Sequence, residues 1–258
     1  MPESQDDAKN ALVALGVGPA AKELYMDLLK PAAAELGGNL ETIAKVVTLA
    51  MAPLRGMVWG AEKIQDWLSA ALLQRLARVS SDKIQTPPLN VAGQIMLQLP
   101  FCSNEHELRE MYANLLAASM NADTVHVAHP AFVHVIQQLT SDEAVVLKHI
   151  AAQNGFELRE RVDDVGVFRG ETGRIVDQFQ EMCRAAGAKN PDASGKYLDN
   201  FLRLKILAED RWSESEYHPG GVSDWGDYGP SVASEHRRLI VISDFGEAFV
   251  QGCVPREQ

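Results

Sequence analysis

The chain has 258 residues, of which 46% are hydrophobic, and carries a formal net charge of −11. This composition is globular and excludes an intrinsically disordered chain, and the length suits one large domain or two smaller ones. Because the parts before and after Thr140 are both acidic, the charge argues against broad binding to nucleic acid or to an anionic membrane.

The first part of the chain is predicted to be a short arm at residues 1–19 followed by a helical bundle at residues 20–139. Within the bundle, the run from Ile43 to Trp59 is almost wholly apolar and is interrupted by Pro53. It is shorter than the roughly 20 apolar residues of a membrane span. Two predictions stay open: a helix buried on most sides, or an effector segment that reaches a membrane or a partner on activation. The apolar residues concerned are Ile43, Val47, Met51, Leu54 and Trp59.

An amphipathic helix is predicted from Gly60 to Val79, and an apolar helix from Val91 to Leu99. The first of these is mildly basic, and we expect its charges to form a solvated face. The basic residues are Lys63, Arg75 and Arg78.

Two further helices joined by a short loop are predicted between Ser103 and Leu139. In the first, apolar and small residues recur every three or four positions and so share one face: Leu108, Met111, Tyr112, Leu115, Leu116 and Ser119. Asn104 is the expected N-cap, with Ser103 as the competing one. The second helix is predicted to start at Pro130, since its fixed φ suits a first helical position.

The remainder, residues 140–258, is predicted to be a smaller α+β domain. Thr140 and Glu143 have the spacing of a capping box, which predicts a helix after Thr140. A short strand is expected within residues 156–167, followed by two helices, a strand, a long turn, a second strand and a closing helix. The segment KYLDNFLRLKILAED (196–210) resembles the third helix and the strand entry of a winged helix. The predicted bounds are 172–186 and 192–208 for the two helices, 211–228 for the turn, 238–242 for the second strand and 243–252 for the closing helix. This order is typical of a winged helix, so the predicted fold class is mainly α, a helical bundle followed by a winged-helix-like domain.

The long turn mixes aromatic with acidic side chains. Such a surface suits a protein partner better than phosphate, although packing of the same aromatics onto the core is an equally open alternative. The aromatic residues are Trp212, Tyr217, Trp225 and Tyr228. A DNA-reading winged helix would need Lys and Arg on its third helix. Here acidic neighbours offset those cations, so nucleic acid is not the expected partner. A transcriptional regulator remains an alternative function, and it would depend on Lys196, Arg203 and Lys205.

Residues that could carry chemistry are few. The histidines could form a zinc site and support a metal-dependent hydrolase as a further alternative, yet no H-E-x-x-H motif accompanies them. They are His106, His126, His129 and His134. His129, directly before Pro130, is expected instead to cap a helix or to form a buried hydrogen bond. No Walker loop or nucleophile elbow is present, so no cofactor and no catalysis are predicted.

The cysteine content and the first residues predict the compartment. Cys102, Cys183 and Cys253 are odd in number and have no paired spacing, so no disulfide framework follows. The opening MPESQDDAKN is polar and acidic, unlike a secretory signal. We expect a cytoplasmic protein.

Three motifs resemble the bacterial Abi-alpha family: REMYANLLA (109–117), HPAF (129–132) and LTSDEA (139–144). The resemblance continues upstream to Ala21 and downstream to Val250. The family was named for a proposed part in abortive infection. The resemblance therefore implies a non-enzymatic antiphage defence protein that meets a phage trigger or a host target, and it leaves a homo-oligomer open. No catalytic residue carries over.

The same motifs indicate candidate site residues. Arg109, Glu110, Asn114 and His129 are predicted either to form a functional surface or to make bonds within the protein. In the second case, each of the polar helix residues would bond the following loop or a neighbouring helix.

Overall fold

The structure is a computed structural model of the chain. It describes residues 61–102, 104–153, 155–163, 174–218, 221–223, 226–228 and 231–254. The predicted arm at residues 1–19, the apolar segment from Ile43 to Trp59, and Trp225 lie outside the described residues.

The described residues are mainly helical, with a small three-stranded antiparallel sheet, so the predicted mainly α class is confirmed. The helices are α1 (Ala61–Leu76), α2 (Leu89–Gln98), α3 (His106–Met120), α4 (Ala131–Gln137), α5 (Ser141–Ala152), α6 (Ile175–Ala186), α7 (Ser194–Arg203) and α8 (Asp244–Cys253). The strands are β1 (Glu157–Asp163), β2 (Leu207–His218), β3 (Gly221–Ser223), β4 (Gly226–Tyr228) and β5 (Ser231–Ile242). Short 3-10 turns lie at Ser81–Lys83, Leu99–Cys102, Val125–Val127 and Pro191–Ala193.

The chain divides into two compact units. The first contains the described residues up to Ala144 together with those from Ala248 onward, and the second contains Val145–Glu247. Helix α8 therefore contributes its last residues to the first unit, although in the sequence these residues come after the whole of the second unit.

Helix α3 is the centre of the first unit, because its predicted apolar stripe is buried from Leu108 to Ser119. Tyr112 is fully buried, and its hydroxyl donates to the carbonyl of Val133 on α4 at 3.4 Å. Phe132 of α4 meets Phe249 of α8 edge to face, with ring centroids 5.3 Å apart. Burial of each such large side chain contributes roughly 1.5–3 kcal/mol.

The ends of these helices only partly follow the sequence prediction. Helix α3 starts at His106 with Glu105 at the N-cap and no side-chain cap, so the predicted cap at Asn104 is wrong. The predicted capping box at the start of α5 is confirmed. The Thr140 amide donates to the Glu143 carboxylate at 2.7 Å, and the Glu143 amide donates to Thr140 Oγ1 at 3.3 Å.

The second unit contains the sheet, in the order β1–β5–β2 with all pairs antiparallel. Leu158, Leu207 and Ile240 are buried in its core. The rings of Phe179 on α6 and Phe201 on α7 pack edge to face, 6.1 Å between centroids. The expected strand within residues 156–167 is confirmed as β1.

Two predicted boundaries in the second unit are wrong. Helix α7 ends at Arg203 rather than at Ala208, because Lys205 adopts a positive φ of 60° and turns the chain into β2. The predicted long turn from Arg211 is mostly strand, since β2 runs to His218 and pairs with β5 along its whole length. The segment is rich in charged and small residues, which are typical of a turn. It is nevertheless a strand because pairing with β5, rather than its composition, stabilises it.

Candidate functional site

Three polar side chains of the first unit meet where α1 packs against α3. Arg75 lies in the last turn of α1, where a cation is favoured by the helix dipole. Glu110 and Asn114 are four residues apart on α3 and therefore project from the same face. Contact between α1 and α3 brings the three together.

Arg75 is the centre of this group. Its Nε donates to Asn114 Oδ1, its Nη2 to the Glu110 carboxylate, and its Nη1 to the carbonyl of Ala71 at 3.0 Å. The Arg75 and Glu110 side chains are only 17% and 20% exposed. The predicted solvated face is therefore wrong for Arg75, whose charge is compensated inside the protein.

Asn114 connects the same group to the end of the chain. Its Nδ2 donates to the backbone carbonyl of Cys253 at 3.0 Å, at the last residue of α8. That carbonyl is among the four that a helix leaves without an intrahelical partner at its C-terminus. Asn114 thus accepts from Arg75 and donates to α8, so its amide orientation follows from its two neighbours.

A cavity of about 650 Å³ adjoins this group. Glu110 and Asn114 line it together with residues at the ends of α1, α3 and α8 and in the loop after α3. Among the described residues, those that line it are Gln74, Arg75, Leu76, Val79, Glu110, Asn114, Ala117, Ala118, Asn121, Thr124, Gln251, Gly252 and Val254.

The other two candidate residues lie elsewhere in the first unit and do not line this cavity. The Arg109 guanidinium lies 5.0 Å from the centroid of the Trp67 ring, a cation–π contact, while its Nε is buried without a hydrogen-bond partner. His129 Nδ1 accepts the amide of Ala131, the first residue of α4, at 3.1 Å, while the N-cap of that helix is Pro130. The structure thus brings together Glu110 and Asn114 and separates Arg109 and His129 from them.

The four histidines are not grouped as metal ligands with other side chains of the described ranges. Within the described ranges, no three His, Cys, Asp or Glu side chains are grouped so that they could hold a metal ion. The metal-dependent hydrolase alternative therefore has no ligand set in this part of the chain.

The three cysteines are buried and free. Burial raises the pKa of the Cys253 thiol well above its ordinary value, and burial also raises that of Cys102. A thiol with a raised pKa carries little thiolate at neutral pH, so it is a poor nucleophile.

The aromatic surface predicted in the second unit is partly described. Trp212 and Tyr217 lie on β2 and are 39% and 64% exposed. Tyr228 falls in the short strand β4. On the third helix of this unit, Lys196 and Arg203 are exposed, but Arg203 donates to Asn200 at 3.1 Å, and Asp192 and Asp199 are exposed beside them.

Sequence reasoning missed Arg75 as the partner of Glu110 and Asn114. Its only signal was a basic residue in the last turn of an amphipathic helix, which more often lies in solvent.

One of the three comparisons with known proteins gives a match, the one with protein families. No curated protein and no solved structure matches the chain significantly. Among the described helices, none is long and apolar enough to cross a bilayer. The model of the family described as abortive infection alpha matches residues 60–253, a span that includes α1, α3 and the described residues lining the cavity other than Val254. The chain therefore belongs to the abortive infection alpha family, the Abi-alpha family that its motifs resemble.

Proposed function

We propose that this protein acts in antiphage defence of the abortive-infection type without catalysing a reaction, by binding a protein that is either a phage trigger or a host target. Membership of the abortive infection alpha family supports the defence role. The observation that carries the binding role is the exposure of two large aromatic side chains, Trp212 and Tyr217, on one strand of the second unit.

One of these aromatics, Tyr217, lies on a ribbon that extends beyond the three-stranded part of the sheet, whereas Trp212 lies opposite Arg237, within that part. Strand β1 pairs with β5 only from Glu235 to Val241, whereas β2 pairs with β5 from Ser231 to Ile242. The strands β2 and β5 therefore continue as a two-stranded ribbon, and Tyr217 lies on it. Tyr and Trp are enriched at protein interfaces because they bury a large apolar area and keep a polar tip.

We also propose winged-helix-like packing for this unit. The support is the order α5, β1, α6, α7, β2, β5 and a sheet in which the last strand lies between the other two. The exposed acidic residues on and before α7 favour a protein partner over DNA, so the transcriptional regulator is the second candidate rather than the first.

A membrane step is a further part of this proposal, and it is supported by the sequence alone. The apolar segment from Ile43 to Trp59 would act as the effector once the protein is activated. Reversing the charges of Lys45 and Arg55 should then change toxicity and membrane association in infected cells. Unchanged behaviour of both variants would remove the effector role from that segment.

The test of partner binding is a phage challenge at low phage-to-cell ratio. We expect cells carrying Tyr217→Ser with Trp212→Ser to lose at least tenfold in protection while the protein stays folded, because the interface aromatics are gone. Ser213→Ala is the matched control, since Ser213 is an exposed residue of the same strand without an aromatic ring, and its replacement should leave protection intact. Full protection by the double variant would refute recognition through the ribbon.

A triple variant tests the alternative that the protein is a transcriptional regulator. Replacing Lys196, Arg203 and Lys205 by Gln should abolish salt-sensitive DNA binding and protection together if the protein acts on DNA. Retained protection in that variant supports the protein-binding proposal.

A further inference from the structure

We infer that the face of the first unit formed by Trp67, Phe101 and Arg109 binds a carboxylate side chain of a partner protein, an Asp or Glu that lies beside an apolar residue. This inference goes beyond the partner surface on the second unit and does not depend on it, because it concerns other residues and requires a partner of defined charge.

The guanidinium of Arg109 is held in place without a counter-charge. Arg109 is half-buried on α3, and its guanidinium lies over the Trp67 ring, 5.0 Å from the centroid. Within the part of the chain that the structure describes, no protein acceptor pairs with this guanidinium, and its Nε is buried without a hydrogen-bond partner. A half-buried cation without acceptors costs free energy. A carboxylate from a partner would supply the missing charge and acceptors.

The acidic residues nearest to Arg109 in the sequence interact with other side chains. The pairs are Glu105 with Ser141, Glu107 with His106 at 3.4 Å, and Glu110 with Arg75. Glu105 precedes Arg109 by four residues, a spacing that favours an ion pair within a helix. It is, however, the N-cap of α3, and its backbone is not helical. The donors of Arg109 therefore remain available to a carboxylate of another molecule.

Trp67 prepares the guanidinium for a planar ligand. An aromatic ring against the face of a guanidinium fixes its plane and leaves its N–H groups, which lie in that plane, free to donate. A carboxylate is planar as well and matches such a fork with a pair of parallel hydrogen bonds. The arrangement therefore favours a carboxylate over an anion without that geometry.

Phe101 places an apolar contact next to this cation. It is 83% exposed and lies in the 3-10 turn Leu99–Cys102, which packs against both α1 and α3. Burial, together with the charge of Glu105, raises the pKa of the Cys102 thiol, and the charge of Arg109 opposes that rise, so the turn lies near Arg109. Exposed Phe, Trp and Arg side chains are enriched at protein interfaces. The partner residue beside the carboxylate is therefore apolar.

The test is selection of a random heptapeptide library, prepared by mRNA display, on the immobilised full-length protein. The ionic strength is physiological, so that exposed charges are screened beyond about 8 Å and the net charge of −11 does not decide the outcome. We expect enrichment of peptides in which Asp or Glu lies beside an aromatic or aliphatic residue. One enriched peptide is then synthesised with its carboxylate and with the matching amide. Calorimetry should show at least tenfold weaker binding of the amide.

Three variants assign the binding to this face. Arg109→Gln removes the cation and should weaken binding of the acidic peptide at least tenfold. Lys83→Gln makes the same change in net charge at an exposed position beside the other end of α3, and it should bind like the wild type. Phe101→Ser should weaken binding at least fivefold. Because Phe101 is exposed, this variant decides the matter even where Arg109→Gln fails to fold.

Absence of acidic peptides from the enriched pool would overturn the inference. Equal binding of the acidic peptide by the Arg109→Gln and Lys83→Gln proteins would overturn it too, since the peptide would then meet another surface. Light scattering of the same proteins covers a further occupant: a dimer that Arg109→Gln abolishes, with no peptide enriched, would assign the face to a second copy of the chain and overturn binding of a different protein. No step uses a phage challenge, so failure here is distinct from failure of the defence role.

Discussion

The guanidinium of Arg75 donates to the carboxylate of Glu110, 35 residues further along the chain, and both side chains are about four-fifths buried. Through Asn114, the same guanidinium is connected to the carbonyl of Cys253 at the end of α8. One side chain thus joins three helices of the first unit. We expect it to contribute to stability, since loss of one partner leaves the others buried without their hydrogen bonds.

Replacing Arg75 by Ala should lower the free energy of unfolding by about 1.5–3 kcal/mol, because the Glu110 carboxylate and the Asn114 carbonyl lose a charged donor. Urea unfolding followed by circular dichroism measures this change. Gln74→Ala, at an exposed position next to Arg75 on α1, is the control and should change stability by less than about 0.5 kcal/mol. Similar values for the two variants would show that the buried group adds nothing.

Gly246→Ala should destabilise the second unit by about 3 kcal/mol, because a Cβ at this position would lie 2.0 Å from the carbonyl oxygen of Ile206. The backbone cannot yield easily there: the Ser243 hydroxyl donates to the Lys205 carbonyl and accepts the Gly246 amide at 2.9 Å. Gly195→Ala is the matched control, since no atom lies within 4 Å of its added Cβ.

The control variant should be neutral or stabilised by up to about 1 kcal/mol, as expected for Ala in a helix. Thermal unfolding of both variants distinguishes the two sites. A Gly246→Ala protein as stable as the Gly195→Ala protein would contradict the close approach.

Because of Glu209, the free energy of unfolding should fall as the solution becomes acidic. Its hydrogen bond from Arg211, at 2.6 Å, and that from Arg238 lower the pKa of the Glu209 carboxyl below its usual value. The ionised form is therefore favoured by folding. Its contribution is complete above the pKa of the unfolded chain, about 4.3, and is lost as the pH falls through the lower folded value.

The measurement compares the wild type with Glu209→Gln in urea at pH 7 and at successively lower pH. The wild type should be the more stable at pH 7, and the difference should shrink below about pH 4. A difference that stays constant or grows on acidification would show that ionisation of Glu209 does not support the fold.

The thiols of Cys102, Cys183 and Cys253 should be unreactive in the native protein. All three are buried, and the pKa values of Cys102 and Cys253 are raised by burial, so little thiolate is available. Titration with Ellman's reagent at pH 8 should detect no thiol in the native state and three after unfolding in guanidinium chloride. Rapid reaction of one thiol in the native protein would show that its helix opens readily.

The sequence by itself determined the features that depend on near neighbours along the chain. The spacing of apolar residues predicted the buried face of α3, and residues three apart predicted the capping box of Thr140 and Glu143. These predictions hold because a helix repeats every 3.6 residues and a cap involves groups within one turn. The motifs around α3 likewise sufficed to recognise the family.

Only the tertiary structure decided which distant residues meet. Asn114 and Cys253 are 139 residues apart, and no local pattern relates them. Arg75 had the sequence pattern of a solvated residue, yet packing of α1 on α3 places it against Glu110. Likewise β2 is a strand because β5 pairs with it along its length, although its own residues are typical of a turn. In each case the deciding free energy comes from a partner elsewhere in the chain, which local periodicity and composition cannot reveal.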